Sequence, residues 1–211
     1  MFKRLLKYFL GIIFIGFLGY QSLYFRKLSS NKASEEIVFD AKNYARAYVF
    51  TKILSINDKA SDIFILIDAL KKDSKNASEI YGKAQNSSDL NYFFVKGTAE
   101  ILKIDDEFIT LKNSLSSIEI KIAIKYIFGN SARDCTGLIS INDFNNTMDL
   151  NNTSEEINNL IRKEIIPPFL AKAKKGDLMR FIGAIELNIT ETKLDHIEVT
   201  PLSLEIQSSK P

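Results

Sequence analysis

One segment constrains the chain more than any other: an apolar run from Tyr8 to Phe25, broken only by Gln21 and Ser22, follows Lys3, Arg4 and Lys7 and is closed by Arg26 and Lys27. As a helix rising about 1.5 Å per residue it would span roughly 27 Å, close to the ~30 Å hydrocarbon core of a bilayer. Residues 1–27 are therefore expected to be a signal anchor, a single transmembrane helix. A cleaved signal peptide shares the basic start, but it needs small residues at the cleavage site, and no A-x-A pattern follows the run. A buried core helix is the third reading, and it wants a polar face that this run lacks. With the basic cluster held inside, everything after the run is expected on the outer, periplasmic side of the membrane.

The remaining chain is long enough for one packed core. The sequence has 211 residues, 45% hydrophobic and 26% charged, an ordinary globular balance. Its 28 basic and 26 acidic side chains are spread evenly, so no basic stripe marks a phosphate backbone and nucleic acid is not an expected partner. The single cysteine, Cys135, excludes an internal disulfide and multi-cysteine metal sites. The single histidine, His196, leaves histidine triads and multi-histidine metal sites with one possible member. No cofactor or metal is expected.

After a serine-rich, charged linker from Leu28 to Glu35, helical signals dominate to about residue 90. Asp40 caps a helix carrying Tyr44, Tyr48 and Ile53; Ser61 or Asp62 precedes Ile63, Phe64, Ile67 and Leu70; and Asn76 with Glu79 reads as the start of a short helix that Gly82 ends. From Asn91 the period changes to two. Phe93, Val95, Gly97, Ala99 and Ile101 share one face, and Ile118, Ile120, Ile122, Ile124 and Tyr126 alternate with Glu119, Lys121 and Lys125. Asp105 to Glu107 make a hairpin turn before Phe108, Ile109 and Leu111. Thr153 with Glu156 opens a helix that Pro167 and Pro168 should kink or end, Gly176 begins the next strand, and Pro201 sits in the last as a bulge or edge residue.

These elements predict an α+β fold: a transmembrane helix over 1–27, a linker and helical region over 28–90, an OB-like five-stranded barrel with a helix between strands three and four over 91–207, and a tail over 208–211. An open α+β sheet has the same element order and stays as the alternative.

Several motifs occur in series: Phe39-Asp40-Ala41 with Tyr44 and Lys52; Tyr81-Gly82; Phe94 to Thr98; Ala132-Arg133-Asp134 with Gly137; Asn142-Asp143-Phe144 with Asn146; Phe181 to Leu187; and Thr200-Pro201 with Leu204-Glu205-Ile206. Together they resemble a family of bacterial proteins described as predicted periplasmic lipoproteins, a domain of unknown function often encoded beside sugar ABC-transporter genes. The resemblance implies a periplasmic protein that serves a sugar importer. Val49 and Ser55 stand where the family carries tryptophan and proline, and its lipobox cysteine has no counterpart after the hydrophobic run. Membrane attachment is therefore expected through the uncleaved helix rather than an acyl chain.

The polar stretch from Phe128 to Met148 is the expected functional segment, with Arg133, Asp134, Asn142, Asp143 and Phe144 as candidate ligand- or partner-binding residues. Arg133 offers a planar fork of donors, the acids and amide suit sugar hydroxyls or peptide groups, and Phe144 can stack on an apolar ring face. The competing reading pairs Arg133 with Asp134 or Asp143, uses Asn142 and Asp143 to shape a turn, and puts Phe144 in the core. The acids at Asp105 to Glu107 and the Asp195-His196 pair read as a solvated hairpin tip and an ordinary strand start. No catalytic constellation stands out, so the leading expectation is a non-enzymatic accessory or binding component associated with sugar ABC import. An envelope hydrolase and a structural adaptor that binds another envelope protein are the alternatives.

Overall fold

The computed structural model describes residue 20 and residues 39–84, 89–112, 118–190 and 195–207. Apart from Tyr20 the apolar run lies outside the described residues, and so do the linker and the C-terminal tail. Among the described residues no helix is long and apolar enough to cross a membrane. The chain divides into two units, Met1–Val38 and Phe39–Pro211. The strands and the helices that pack on them belong to the second unit.

Helix α1 covers residues 41–55, regular over Ala41–Ala47, π-helical over Tyr48–Lys52 and regular again over Ile53–Ser55. The Asp40 carboxylate accepts the Asn43 N–H at 2.9 Å and so caps its start. The short strand β1 (Ser61–Asp62) leads into α2 (Ile63–Lys72), where the Asp62 carboxylate accepts the N–H groups of Phe64 and Ile65. Helix α3 (Ser74–Tyr81) begins two residues before the expected Asn76, because Asp73 is the cap: it accepts the Asn76 N–H at 3.0 Å. Strand β2 (Gly82–Ala84) then pairs with β3 (Leu90–Ile104).

Strands β3, β4 (Phe108–Leu111), β5 (Glu119–Ala123), β6 (Leu178–Asn188) and β7 (His196–Gln207) form the expected barrel. Their order is β3-β4-β5-β7-β6, and an antiparallel β3–β6 ladder from Leu90–Asn188 to Glu100–Leu178 closes the cycle. The β5–β7 pairing is parallel, so a crossover is required between β5 and the last two strands. That crossover contains the short helix α4 (Ser131–Asp134) and the long helix α5 over residues 147–170. Closure replaces the open-sheet alternative.

Helix α5 starts at Thr147, six residues before the expected Thr153, with Asn146 accepting the Asp149 N–H at 2.8 Å. Met148 and Leu150 are its only apolar residues before Thr153, too few to read a helical period, whereas Thr153 is interior and returns its hydroxyl to the Asp149 carbonyl at 2.9 Å. Nor do Pro167 and Pro168 end it. A π-helical turn at Ile161–Ile165 precedes them, the prolines fall in the first turn of the closing segment Ile166–Leu170, and there their missing N–H groups cost little. Gly176 (φ +91°) makes a turn, and β6 begins at Leu178.

Two cores result. Inside the barrel, Phe93, Val95, Ile101, Ile122, Phe181 and Val199 pack with Ile63, Leu66 and Ile67 of α2 and Phe169 of α5. Outside it, Tyr92 and Phe94 of β3, Ile182 and Ala184 of β6 and Leu202 of β7 pack under Tyr48, Val49 and Ile53 of α1 and Ile157, Leu160 and Ile161 of α5. Strand β3 is thus buried on both faces along Tyr92 to Val95, each large apolar side chain contributing about 1.5–3 kcal/mol. Gly183 faces Pro201 across β6–β7, where the register shifts as the sequence predicts for that proline.

Candidate functional site

The polar crossover is built from the outer core upward. Tyr48, in the π-helical turn of α1, is fully buried, and its hydroxyl lies 3.0 Å from the Ala132 carbonyl, 3.1 Å from that of Arg133 and 3.0 Å from Thr136 Oγ1. Burial pushes the phenol far above its ordinary pKa, so it stays a donor. This anchor holds α4 against α1. On α4, Arg133 is buried; it donates from Nε and Nη2 to the two carboxylate oxygens of Asp134, at 2.6 and 2.8 Å, and from Nη1 to Ser154 Oγ of α5 at 2.8 Å. The planar fork is turned inward.

The turn that follows has its own logic. Ser140 donates its backbone N–H to Asp143 Oδ2 at 2.8 Å, and its hydroxyl accepts the Asn142 N–H at 3.3 Å, a capping box around the 3₁₀ turn Ile141–Asp143. Asn142 and Asp143 are exposed. Phe144 packs edge-on against Phe39 with ring centroids 5.2 Å apart and tilts against Tyr44 at 5.5 Å, while Lys52 lies over the Tyr44 ring at 5.2 Å. Burial, then the nearby Asp143 charge, raises the Tyr44 pKa. The five candidate residues therefore form two units, an inward ion pair on α4 and an exposed capped turn beside an aromatic trio. The described hydrogen bonds link Arg133 and Asp134 to Ser154, and Asp143 to Ser140.

A concave site lies elsewhere. Between α1, the end of α5 and β7 runs a groove of about 640 Å3. Val49, Phe50 and Leu54 line it from α1, Glu164, Ile165, Pro168, Phe169 and Lys172 from the α5 side, and Leu202 to Ile206 from β7. Both π-helical turns reach it, through Val49 and Phe50 on one wall and Glu164 and Ile165 on the other. Turns of this kind are frequent at functional sites. Phe50 and Leu54 stand 37% and 46% exposed there, large apolar side chains without full cover. At the rim, Arg46 meets Glu164 at 2.6 Å, which holds the Glu164 carboxyl below its ordinary pKa, and the Arg46 guanidinium also lies 5.1 Å from the Phe50 ring centroid. The sequence reading missed this groove: its walls come from segments more than a hundred residues apart, and only the i, i+4 spacing of Phe50 and Leu54 hinted at a shared face.

Other chemistry is sparse in the described part. Asp105 accepts the N–H groups of Glu107 and Phe108, as a hairpin tip does, and these bonds hold its carboxyl at about 2. Cys135 is buried, and burial pushes its thiol well above the usual range. Among the described residues no three of His, Cys, Asp and Glu stand together as metal ligands.

Residues 13–205 match the model of the predicted periplasmic lipoproteins, domain-of-unknown-function family 2291. The chain belongs to this family. A crystal structure described as that of an OB-fold protein from Thermotoga maritima is similar at TM-score 0.72 and 30% identity, over 80% of this chain and 99% of that one. No curated protein matches the chain. Family membership is consistent with an extracytoplasmic, membrane-associated protein, and the one cysteine of the sequence, Cys135, is buried under α1.

Proposed function

We propose that the chain is a non-enzymatic accessory or binding component on the outer face of the cell membrane, tethered by the hydrophobic run 8–25 and serving a sugar ABC importer. The groove between α1, α5 and β7 carries this reading. Its volume of about 640 Å3 falls within the roughly 300–1,000 Å3 of ordinary binding sites, and it combines an apolar lining with a few charged groups at the rim. The resemblance to proteins encoded beside sugar importers supplies the partner. The exposed turn at Asn142 and Asp143, beside Phe144, offers a second polar surface to the same partner, while Arg133 and Asp134 hold the crossover that presents it.

Affinity isolation of the full-length chain from detergent-solubilised membranes of the source organism tests the proposal. Importer subunits are expected to co-isolate, and incubation with envelope glycans or peptides is expected to yield no turnover. Isolation of the chain without importer subunits, or hydrolysis of an envelope substrate, contradicts it.

A further inference from the structure

We infer that the groove takes an extended segment of a partner protein, added as a strand to the free edge of β7. The inference rests on the reading of the chain as a binding component and names the occupant of its site. Strand β7 has β5 beside it only over His196–Val199; from Thr200 to Gln207 its ladder is to β6 alone. Among the described residues no backbone hydrogen bond reaches Leu202 to Ile206 from the other side. A strand paired on one side alone leaves the N–H and C=O of every second residue unpaired on its other side, the arrangement that accepts an added strand.

The lining gives the same direction. The register shift at Leu202 breaks the alternation there: Leu202 joins the outer core, while Leu204 and Ile206, opposite Phe181 and Met179, turn toward the barrel interior and Ser203 and Glu205 away from it. The groove touches all five, which places it along the backbone edge rather than over one face. Across from that edge stand Phe50, Leu54, Ile165 and Phe169, an apolar wall able to receive alternate side chains of an extended peptide. A small ligand would leave a main-chain edge about 16 Å long unpaired.

Charge selects among polypeptides. Glu164 is held by Arg46, whereas Glu205, exposed in the groove lining, forms no ion pair among the described residues. Lys172 is exposed and has no carboxylate partner among the described residues. The occupant is therefore a segment of alternating apolar residues with an acidic group set at Lys172 and a basic group set at Glu205.

The test pans phage-displayed random dodecapeptides on the full-length chain in lipid nanodiscs. Enriched sequences are expected to alternate apolar residues and to carry Asp or Glu. Synthetic representatives should lose more than about tenfold in affinity on Leu54→Lys and about threefold on Lys172→Glu, with the urea midpoints of both variants unchanged. N-methylation of the peptide amides should abolish binding at every second position only. Enrichment of peptides with helical spacing, insensitivity to N-methylation, no enrichment over empty nanodiscs, a dimer dissolved by Leu54→Lys, or a lipid retained in native mass spectrometry would each overturn the inference. If peptides fail while importer subunits still co-isolate, the strand-addition inference falls and the accessory reading stands.

Discussion

Arg133 and Asp134, adjacent in sequence, form a two-pronged ion pair with N–O distances of 2.6 and 2.8 Å, their side chains only 7% and 17% exposed. The third prong of the guanidinium bonds Ser154, so the pair ties α4 to α5. Arg133→Ala leaves a nearly buried carboxylate without its partner and a Ser154 hydroxyl short of a donor. A loss of roughly 3–5 kcal/mol is expected. Urea unfolding measures it, and an unchanged midpoint would show that the pair contributes nothing to the fold.

The Tyr48 hydroxyl supports the same crossover from the other side. Tyr48→Phe keeps the ring packing and removes a donor to the carbonyls of Ala132 and Arg133. The expected cost is about 1–2 kcal/mol, with faster amide exchange over residues 131–136 as its local signature. Uniform exchange changes across the barrel would contradict the local role.

Two glycines are predicted to differ sharply, Gly183 in strand β6 and Gly129 in the crossover. A Cβ on Gly183 would come within 2.4 Å of Val199 Cγ1 and 2.7 Å of the Thr200 carbonyl, where the bulge brings two backbones together. Gly183→Ala should therefore destabilise by about 2 kcal/mol or more. A Cβ on Gly129 meets nothing within 4 Å, so Gly129→Ala should cost only about 1 kcal/mol, from its φ of +79°. Thermal melts of the two variants in parallel decide the order.

Asp105 gives the acid limb of stability a specific source. Bonds from the N–H groups of Glu107 and Phe108 hold its folded pKa at about 2, below the ordinary 3.8. A depressed folded pKa means that the stabilisation is complete above the unfolded value and is lost as pH falls from about 4 to about 2. Asp105→Asn should flatten the stability profile in that window and leave its slope at pH 7 unchanged. A wild-type slope in the variant would assign the acid limb to other carboxylates.

Much of the barrel was legible because alternation survives where one face is wet: Ile118, Ile120 and Ile122 are buried as their period predicts. The cap at Asp40 was legible too, and that of α2 was narrowed to Ser61 or Asp62, of which Asp62 is the one. The start of α5 was not, because Met148 and Leu150 alone, set among polar residues, give no helical period. The π-helical turns were hidden as well: one extra residue per turn swings a helix face without changing composition. At the candidate site, Arg133 beside Asp134 was visible as a pair, but which way the guanidinium turned depends on Ser154 and Tyr48, distant in the chain. Periodicity cannot report the free edge of β7, which exists only because β5 ends at Ala123 while β7 runs on to Gln207.

Sugar uptake in the source organism tests the accessory account most directly. Deletion of the chain should lower transport of the sugar carried by the proposed partner importer; full-length wild type should restore it, and Leu54→Lys, made and folded to the same level, should not. Unchanged uptake on deletion, or full restoration by Leu54→Lys, would contradict the account that this groove couples the protein to its importer.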